Sequence, residues 1–215
     1  MCGRYQLSSK PKDVQLHFNV GSPVTFKQSY NITPSSYCPV VRLNKEKNEV
    51  ALCYWGLIPS WAKDKKITPI NAKAETIREK PFFRMAYRHH RCIIPANGFY
   101  EWQGTKGHKQ AFYFYPEGSD FFGFAGLWEI WERPDEVIES FTIITTEANS
   151  IMAPINERMP VILNHQDYAE WLHDGEYSLL KPFDTEGMGC HAISKEVNSP
   201  TNDAPELISK VSLLS

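Results

Sequence analysis

The sequence predicts a mixed α+β domain built on a strongly curved or barrel-like, mostly antiparallel sheet with a few short helices. Short aromatic or β-branched runs dominate the chain, and convincing helical patterns are few. Fifteen prolines divide the sequence into short elements. No repeat, low-complexity segment or Gly/Ser-rich linker interrupts it, so residues 1–215 are interpreted as one domain.

The predicted strands are short apolar, aromatic or β-branched runs bounded by turn-forming residues. In chain order they cover residues 49–54, 91–95, 111–115, 121–131, 141–146, 161–163 and 191–194. A turn is predicted at Asn97 and Gly98. The sequence PEGSD at 116–120 is interpreted as a hairpin turn between the strands on either side of it.

Four helices are predicted, at residues 11–18, 72–79, 147–152 and 166–173. The first is expected to begin behind Ser9 as its N-cap. The last places Tyr168, Trp171 and Leu172 on one face and stops before Gly175, which is typical of a short amphipathic helix.

Composition excludes several classes of protein. No apolar run approaches the roughly 20 residues of a membrane helix, and the first residues lack the apolar core of a secretory signal. The five cysteines are an odd number with no C-x-x-C spacing, and the seven histidines show no ligand pattern. We therefore expect no disulfide framework, metal or cofactor, and a monomeric cytoplasmic protein that is nucleoid-associated if the source is bacterial.

Charge is divided unevenly along the chain although the net value is only −2. Residues 1–110 hold 18 Lys and Arg against 7 Asp and Glu, whereas residues 111–215 hold 5 against 18. Such asymmetry favours a basic face for an acidic partner. Mutual neutralisation of the two halves, or an ordinary solvated surface, explains the same numbers.

The N-terminus carries an unusual chemical possibility. Removal of Met1 would expose Cys2 with an α-amine and a thiol on adjacent carbons. The ordinary pKa of the amine is about 7.7–8.0 and that of the thiol about 8.5, so both are partly deprotonated near neutral pH. Such a 1,2-aminothiol condenses with aldehydes, first to a Schiff base and then to a five-membered thiazolidine. A Met-Cys start also occurs without any function.

Two further polar residues are candidates for chemistry. Glu101 stands between Tyr100 and Trp102, so an inward side chain would be partly desolvated and its pKa raised toward that of a general acid or base. Asn71 opens the sequence NAKAE. Taken singly, Asn71 is equally consistent with a turn residue and Glu101 with a surface carboxylate.

Several long motifs occur together and in one order. They are MCGR at 1–4, YNITP at 30–34, WGLIPSWAKD at 55–64, NAKAET at 71–76, RCIIPANGFYEW at 91–102, ITTEAN at 144–149, ERMPVIL at 157–163 and VNSPTNDAPEL at 197–207. This series resembles the SRAP (SOS response-associated peptidase) family of abasic-site-processing proteins over nearly the whole chain. The resemblance implies an SRAP-like fold and single-stranded DNA with abasic sites as the partner.

The resemblance also implies roles for individual residues. Cys2 matches the nucleophile that crosslinks to the ring-opened aldehyde of an abasic site after Met1 is removed by the protein's own action. Asn71 matches the asparagine that positions the open sugar, and Glu101 matches the carboxylate that shuttles protons.

One position departs from the family pattern. Asn156 stands where the family usually has histidine, two residues before Arg158, and an amide cannot exchange a proton near neutral pH. Glu157 could take over only if the backbone turned it inward.

Phosphate contacts are expected from the basic half of the chain and from the RMP segment. Arg4, Lys73 and Arg158 match basic positions of the family, although lysine at 73 replaces the usual arginine and loses its bidentate fork. Local charge adds Arg78 and Arg84.

Two tryptophans bracket the sequence WGLIPSW. An exposed Trp61 would stack on bases or wedge a duplex edge, whereas a buried Trp61 would be a core residue. Trp55 is expected in the core.

Three functions remain open from the sequence. The first is an abasic-site crosslinking enzyme, with lyase activity through its Schiff base. The second is a thiol peptidase of restricted scope that uses Cys2 with Glu101, which the missing histidine disfavours because a thiol nucleophile usually needs an imidazole base. The third is a non-catalytic reader of damaged or modified single-stranded DNA.

Overall fold

The computed structural model describes residues 2–105 and 107–212, and within them the chain forms two sheets and three short α-helices. The strands are β1 (Tyr5–Leu7), β2 (Ser29–Ile32), β3 (Tyr37–Asn44), β4 (Lys47–Trp55), β5 (Asn71–Lys73), β6 (Arg91–Ala96), β7 (Gly98–Gln103), β8 (Gln110–Pro116), β9 (Phe122–Arg133), β10 (Glu136–Glu147), β11 (Arg158–Pro160), β12 (Ile162–Leu163) and β13 (Met188–Ile193). The helices are α1 (Pro11–His17), α2 (Arg84–His89) and α3 (Tyr168–His173). Single turns of 3₁₀ helix lie at Ala74–Thr76, His165–Asp167, Tyr177–Leu179, Thr185–Gly187, Lys195–Asn198 and Pro205–Ile208.

The larger sheet closes on itself. Strand β10 pairs with β4, β4 with β3, β3 with β6, β6 with β9, and β9 with β10 again, which makes a five-stranded barrel. Strands β5 and β11 extend β10, and β12 extends β9. Only the pairings of β10 with β4 and β5 are parallel among the described strands. The expected fold class, a mostly antiparallel barrel-like sheet with few helices, is confirmed.

The second sheet has the order β13-β8-β7-β1-β2 and is antiparallel throughout. It is joined to the barrel at Asn97, where β6 ends and β7 begins. The Asn97 Oδ1 accepts hydrogen bonds from the backbone N–H of Ser8 (2.8 Å) and Ser9 (3.0 Å), and its Nδ2 donates to the Asp120 carbonyl (2.7 Å). This residue therefore fixes the bend that carries the chain from one sheet to the other.

Aromatic side chains fill the space between barrel and second sheet. Trp55, Phe99, Phe114 and Phe124 are fully buried, and the rings of Phe99 and Phe114 stack with centroids 4.9 Å apart. Burial of one such side chain is worth about 1.5–3 kcal/mol relative to exposure. Trp55 also donates from Nε1 to the Ile70 carbonyl at 3.0 Å, so its expected place in the core is confirmed.

The helices are short and peripheral. In the part of the chain that the structure describes, no helix is long and apolar enough to cross a membrane. The helix predicted at 166–173 is confirmed as a 3₁₀ turn that runs into α3. The helix predicted at 11–18 is confirmed as α1, but its N-cap is Lys10 rather than Ser9. The Ser9 hydroxyl instead accepts a hydrogen bond from Asn97 Nδ2 at 2.7 Å.

Two predicted helices are wrong. Residues 71–73 form β5, because parallel pairing with β10 satisfies their backbone groups, and only one 3₁₀ turn follows. Residues 147–152 end β10 and then enter turns, where Asn149 Oδ1 accepts from the Met152 N–H at 3.0 Å. Helix α2 and the five strands β1, β2, β3, β7 and β11 were not predicted from the sequence.

The predicted hairpin at 116–120 is wrong as well. Strand β8 pairs with β7 and β13 in the second sheet, whereas β9 pairs within the barrel. The segment therefore crosses between sheets. Apolar strands on both sides of a turn do not reveal whether they pair with each other or with different neighbours.

Candidate active site

Strand pairing brings the N-terminus to the middle of β7. Tyr5 lies opposite Phe99, and the Tyr100 N–H donates to the Arg4 carbonyl at 3.0 Å. Cys2 lies close enough to Glu101 for the charge of the carboxylate to act on its thiol. The Cys2 side chain is fully buried.

Glu101 points into the interior. Because side chains two apart on a strand share a face, it lies on the side of β7 that carries the core residue Phe99. Its exposure is 4%, and Asn156 Nδ2 donates to its Oε2 at 3.0 Å. Burial raises the pKa of the Glu101 carboxyl above its ordinary value, and the hydrogen bond from Asn156 opposes part of that rise. Of the two positions left open by the sequence, Glu101 therefore takes the buried one.

The surroundings of Cys2 disfavour the ionised form of its thiol. Burial, followed by the nearby negative charge of Glu101, raises the pKa of Cys2 well above the ordinary thiol value. In this environment the thiolate is disfavoured relative to a free aminothiol, because a charged sulfur would be both desolvated and repelled. Met1, whose removal the sequence analysis expects, lies outside the described residues.

A tied loop holds Asn156 in place. The Asn156 N–H donates to the Met152 carbonyl at 3.0 Å, and the Ala148 N–H donates to the Glu157 carbonyl at 3.0 Å. The Arg158 N–H donates to Asn156 Oδ1 at 3.1 Å, which leaves Nδ2 as the group that faces Glu101. The Glu157 side chain is exposed, so it does not replace the family histidine.

The loop is also fastened to β7 itself. Gln103, two residues beyond Glu101 on the same face, donates from Nε2 to the Pro154 carbonyl at 2.8 Å. This hydrogen bond is not evident from the sequence, because nothing local distinguishes Gln103 from an exposed strand residue.

Asn71 carries an unusual buried amide. It begins β5 and lies opposite Ile143 of β10. Its Oδ1 and Nδ2 are both buried, and neither has a hydrogen-bond partner within the described chain. An unpaired buried amide costs about 1–3 kcal/mol, so this side chain is suited to a polar ligand.

Arg158 and Glu75 form a salt bridge near Asn71. The Arg158 guanidinium donates to Glu75 Oε1 at 2.6 Å and Oε2 at 3.0 Å, and to the Thr145 carbonyl at 2.6 Å. Its side chain is only 11% exposed. Arg158, for which a phosphate contact is predicted, thus has internal partners in the structure, while Lys73, opposite Thr145 in register, is exposed. Glu75 belongs to the motif NAKAET, which is the signal that could have identified it.

Comparison with known proteins identifies the family of this chain. The family model described as SOS response associated peptidase (SRAP) matches residues 1–200. The chain belongs to the SRAP family. The abasic site processing protein YoqW of Bacillus subtilis is 42% identical, with 97% of this chain and 99% of that protein covered. The abasic site processing protein HMCES of Xenopus tropicalis is 28% identical over 99% of this chain and 79% of its own.

A solved structure supports the same fold. The crystal structure of a protein from Bacteroides thetaiotaomicron superposes with a TM-score of 0.89 at 31% identity, covering 98% of this chain and 100% of that one.

In this SRAP protein the Arg4 guanidinium is held by hydrogen bonds within the protein. Its Nη1 donates to Asn31 Oδ1 at 2.6 Å and to the Val197 carbonyl at 2.7 Å. Burial lowers the pKa of the guanidinium from its ordinary value. The guanidinium carbon lies 5.7 Å from the centre of the Trp102 ring.

Three expected DNA-binding residues lie on the surface without a contact to Cys2, Glu101 or Asn156 among the residues described. Arg78 is exposed and its guanidinium lies 4.0 Å from the ring centre of Tyr177. Arg84 is exposed at the first residue of α2. Trp61 is 58% exposed, with its ring centroid 5.7 Å from that of Phe82.

The remaining cysteines have no visible role in this site. All five thiols are free, with Cys38, Cys53 and Cys92 buried and Cys190 half-buried. Across residues 2–105 and 107–212, no three His, Cys, Asp or Glu side chains come together as metal ligands.

Proposed function

We propose that this SRAP protein, acting as a monomer, processes abasic sites in single-stranded DNA through a covalent bond to Cys2. The names of its relatives support an abasic-site substrate. The observation that carries the chemistry is the burial of Cys2 beside Glu101, whose pKa is raised toward the range of a general acid or base. The expected peptidase action is the removal of Met1, which frees the amine of Cys2.

The first step joins the Cys2 amine to the aldehyde of the ring-opened sugar. The neutral amine adds to the carbonyl carbon and gives a carbinolamine. Glu101 in its protonated form donates to the departing hydroxyl, water leaves, and a C=N bond remains. The raised pKa of Glu101 favours this step because it keeps a fraction of the carboxyl protonated.

The second step closes the ring. The Schiff base left by the first step is protonated on nitrogen, and Glu101 is ionised. The Cys2 sulfur adds to the carbon of the C=N bond, a C–S bond forms, and the π electron pair moves to the nitrogen, which keeps its proton. Glu101 accepts the thiol proton and so returns to its protonated form. A thiol with a raised pKa fits this order, because its proton is lost only as the C–S bond forms. The product is a thiazolidine, and the net loss is one water.

Asn71 and Asn156 act without changing their own protonation. The unpaired amide of Asn71 supplies a donor and an acceptor for the hydroxyl groups of the open sugar. Asn156 holds the Glu101 carboxylate in place through its 3.0 Å hydrogen bond. Glu101 therefore carries the proton transfers that the family shares between a carboxylate and a histidine.

The Schiff base gives a secondary activity. Before the thiol closes the ring, the C=N bond acidifies the neighbouring carbon, and loss of that proton expels the 3′ phosphate by β-elimination. The protein is thus expected to show lyase activity when ring closure is blocked. A DNA substrate implies a cytoplasmic location, next to the nucleoid if the source is bacterial.

The test is covalent capture on a denaturing gel. Protein confirmed by mass spectrometry to lack Met1 is mixed with single-stranded DNA that carries one abasic site, beside Cys2→Ser and Asn71→Ala variants. A shifted band that requires Cys2 supports the proposal. Binding without any shifted band would leave a non-catalytic reader of damaged DNA, and cleavage of added peptides by the same protein would favour a thiol peptidase.

A further inference from the structure

Two sequence motifs to which the proposed chemistry gives no role meet at Arg4, two residues after Cys2. The motif YNITP at 30–34 supplies Asn31, the last residue but one of β2, and VNSPTNDAPEL at 197–207 supplies a C-terminal segment, residues 197–203, that lies against it. The Asn31 side chain is only 5% exposed. The two motifs therefore share one buried contact, although 166 positions separate Asn31 from Val197.

Asn31 uses both ends of its amide. Its Nδ2 donates to three carbonyls of the C-terminal segment, at 3.3 Å to Val197, 3.0 Å to Ser199 and 2.7 Å to Asn202. Its Oδ1 accepts from Arg4 Nη1 at 2.6 Å, and the same Nη1 donates to the Val197 carbonyl at 2.7 Å. Because an amide both donates and accepts, Asn31 joins a guanidinium to a set of carbonyl groups. An apolar side chain of similar size could do neither.

Arg4 is the residue through which this contact reaches the nucleophile. Its carbonyl accepts from the Tyr100 N–H at 3.0 Å, and strand β1 begins one residue later, at Tyr5. The backbones of Cys2 and Gly3 form no hydrogen bond to another residue that the structure describes. The glycine between Cys2 and Arg4 also allows a wide range of backbone angles. The position of Cys2 therefore depends on how firmly Arg4 is held.

Ring closure places two requirements on the Cys2 sulfur. It must reach the carbon of the C=N bond, and its proton must reach Glu101. The backbone N–H of Arg4 also acts as a hydrogen-bond donor toward the thiol and opposes part of the rise in its pKa. The competing β-elimination involves no atom of the thiol, because the phosphate leaves from the sugar. A displaced Arg4 would therefore slow ring closure more than elimination.

We propose that Asn31 is a positioning residue for the Cys2 thiol, acting through Arg4 and the C-terminal segment. The inference rests on the proposed function and assigns to Asn31 an influence on the choice between its two products. While Arg4 is held, the Schiff base closes to the thiazolidine. When Arg4 is released, a larger share of the Schiff base ends as cleaved DNA.

The test measures how wild type and Asn31→Leu divide one substrate between these products. Each protein, confirmed by mass spectrometry to lack Met1, reacts with single-stranded DNA that carries one abasic site, and a denaturing gel separates crosslinked from cleaved DNA. We expect the ratio of cleaved to crosslinked DNA to rise about tenfold in Asn31→Leu, within the roughly 10²-fold that a displacement of about 1 Å costs. A parallel reaction with borohydride, which reduces the Schiff base before it reacts further, should show that the variant still forms this intermediate.

Two control variants separate positioning from stability. Asp203 also fastens the C-terminal segment to β2, because its Oδ1 accepts from the Tyr30 N–H at 2.6 Å and from Ser29 Oγ at 3.1 Å, and Asp203→Ala leaves the bond between Asn31 and Arg4 in place. Asn31→Asp keeps an acceptor for the guanidinium and loses the donor to the three carbonyls. We expect both controls to unfold at a lower urea concentration than wild type and to keep the wild-type product ratio.

Arg4→Met removes the guanidinium from the other side of the contact and should raise the product ratio as Asn31→Leu does, so it replaces that variant if Asn31→Leu does not fold. A raised ratio in these two variants and in neither control supports the inference. An unchanged ratio in both variants, or the same rise in either control, would overturn the inference and leave the proposed function intact. No Cys2-dependent crosslink from wild type would contradict the proposed function, and the inference with it.

Discussion

Asn156 donates from Nδ2 to the Glu101 carboxylate at 3.0 Å, across 55 positions of sequence. An amide fixes the carboxylate but cannot give or take a proton near neutral pH. In Asn156→His an imidazole takes that position, and general acid–base help is worth about 10²–10⁴ in rate. We expect single-turnover crosslinking to become at least tenfold faster, with a second ionisation near the ordinary pKa of histidine in its pH profile.

The control for this change is Asn156→Ala, which removes the donor and adds no titrating group. The hydrogen bond from Asn156 lowers the pKa of Glu101, so its loss should move the existing ionisation of the rate profile to higher pH. Equal rates and pH profiles for the alanine and histidine variants would show that position 156 has no part in proton transfer.

Replacement of Glu101 by glutamine should separate stability from activity. Because burial raises the pKa of this carboxyl above 4.5, its contribution to stability is present at low pH and is lost as pH rises through the folded-state pKa. Urea unfolding should therefore show Glu101→Gln to be more stable than wild type at pH 7.5, with the difference vanishing below pH 4.5. Crosslinking should fall by about 10²–10⁴. A variant less stable than wild type at pH 7.5 would argue against the desolvated carboxylate.

The Cys2 thiol should react slowly with alkylating agents. Burial and the charge of Glu101 raise its pKa, whereas burial raises that of the half-buried Cys190 to about 11. Iodoacetamide at pH 7.5 should therefore modify Cys190 before Cys2, as measured by mass spectrometry of their peptides. Glu101→Gln should speed the modification of Cys2 and leave Cys190 unchanged. Rapid alkylation of Cys2 in folded wild type would contradict this account of its environment.

Local chemistry made part of the site predictable. Met-Cys at the start of the chain and a glutamate between Tyr100 and Trp102 carry their chemistry in adjacent residues. The sequence left Glu101 open between a desolvated and a surface carboxylate, and its burial on the face shared with Phe99 decides for the first. Likewise, many short apolar runs with prolines between them sufficed for the fold class.

Long-range pairing was not predictable in the same way. Residues 72–79 were predicted to be a helix, yet Asn71–Lys73 form β5 because they pair with β10, which lies 70 or more positions later in the chain. Arg158 was predicted to contact a DNA phosphate, and its guanidinium instead donates to Glu75, in the turn after β5. The two residues come together because β5 and β11 both pair with β10. Counting charges along the chain cannot reveal such partners, because the sheet brings them together.

Asn71 should matter for capture more than for stability. Its amide atoms have no hydrogen-bond partner in the described chain, so Asn71→Ala breaks no internal bond. We expect the free energy of unfolding to stay level or rise, by up to the roughly 1–3 kcal/mol that an unpaired buried amide costs. The crosslinking rate should fall by about 10²-fold, as expected for a lost positioning contact. A large loss of stability would assign Asn71 to the fold.

Arg158 should behave in the opposite way. Its guanidinium donates hydrogen bonds both to Glu75, in the turn after β5, and to the Thr145 carbonyl on β10. Hydrogen bonds to charged groups are worth about 1.5–3 kcal/mol. Arg158→Ala should lower the free energy of unfolding by that amount in urea titrations. Arg158→Lys should recover little of the lost stability, because one ammonium cannot reproduce the bidentate fork.

Lys73→Ala is the matched control. This exposed cation has no such internal hydrogen bonds, so its loss should reduce affinity for single-stranded DNA and leave the free energy of unfolding unchanged. If Arg158→Ala kept full stability and lost DNA affinity instead, Arg158 would be a phosphate ligand after all.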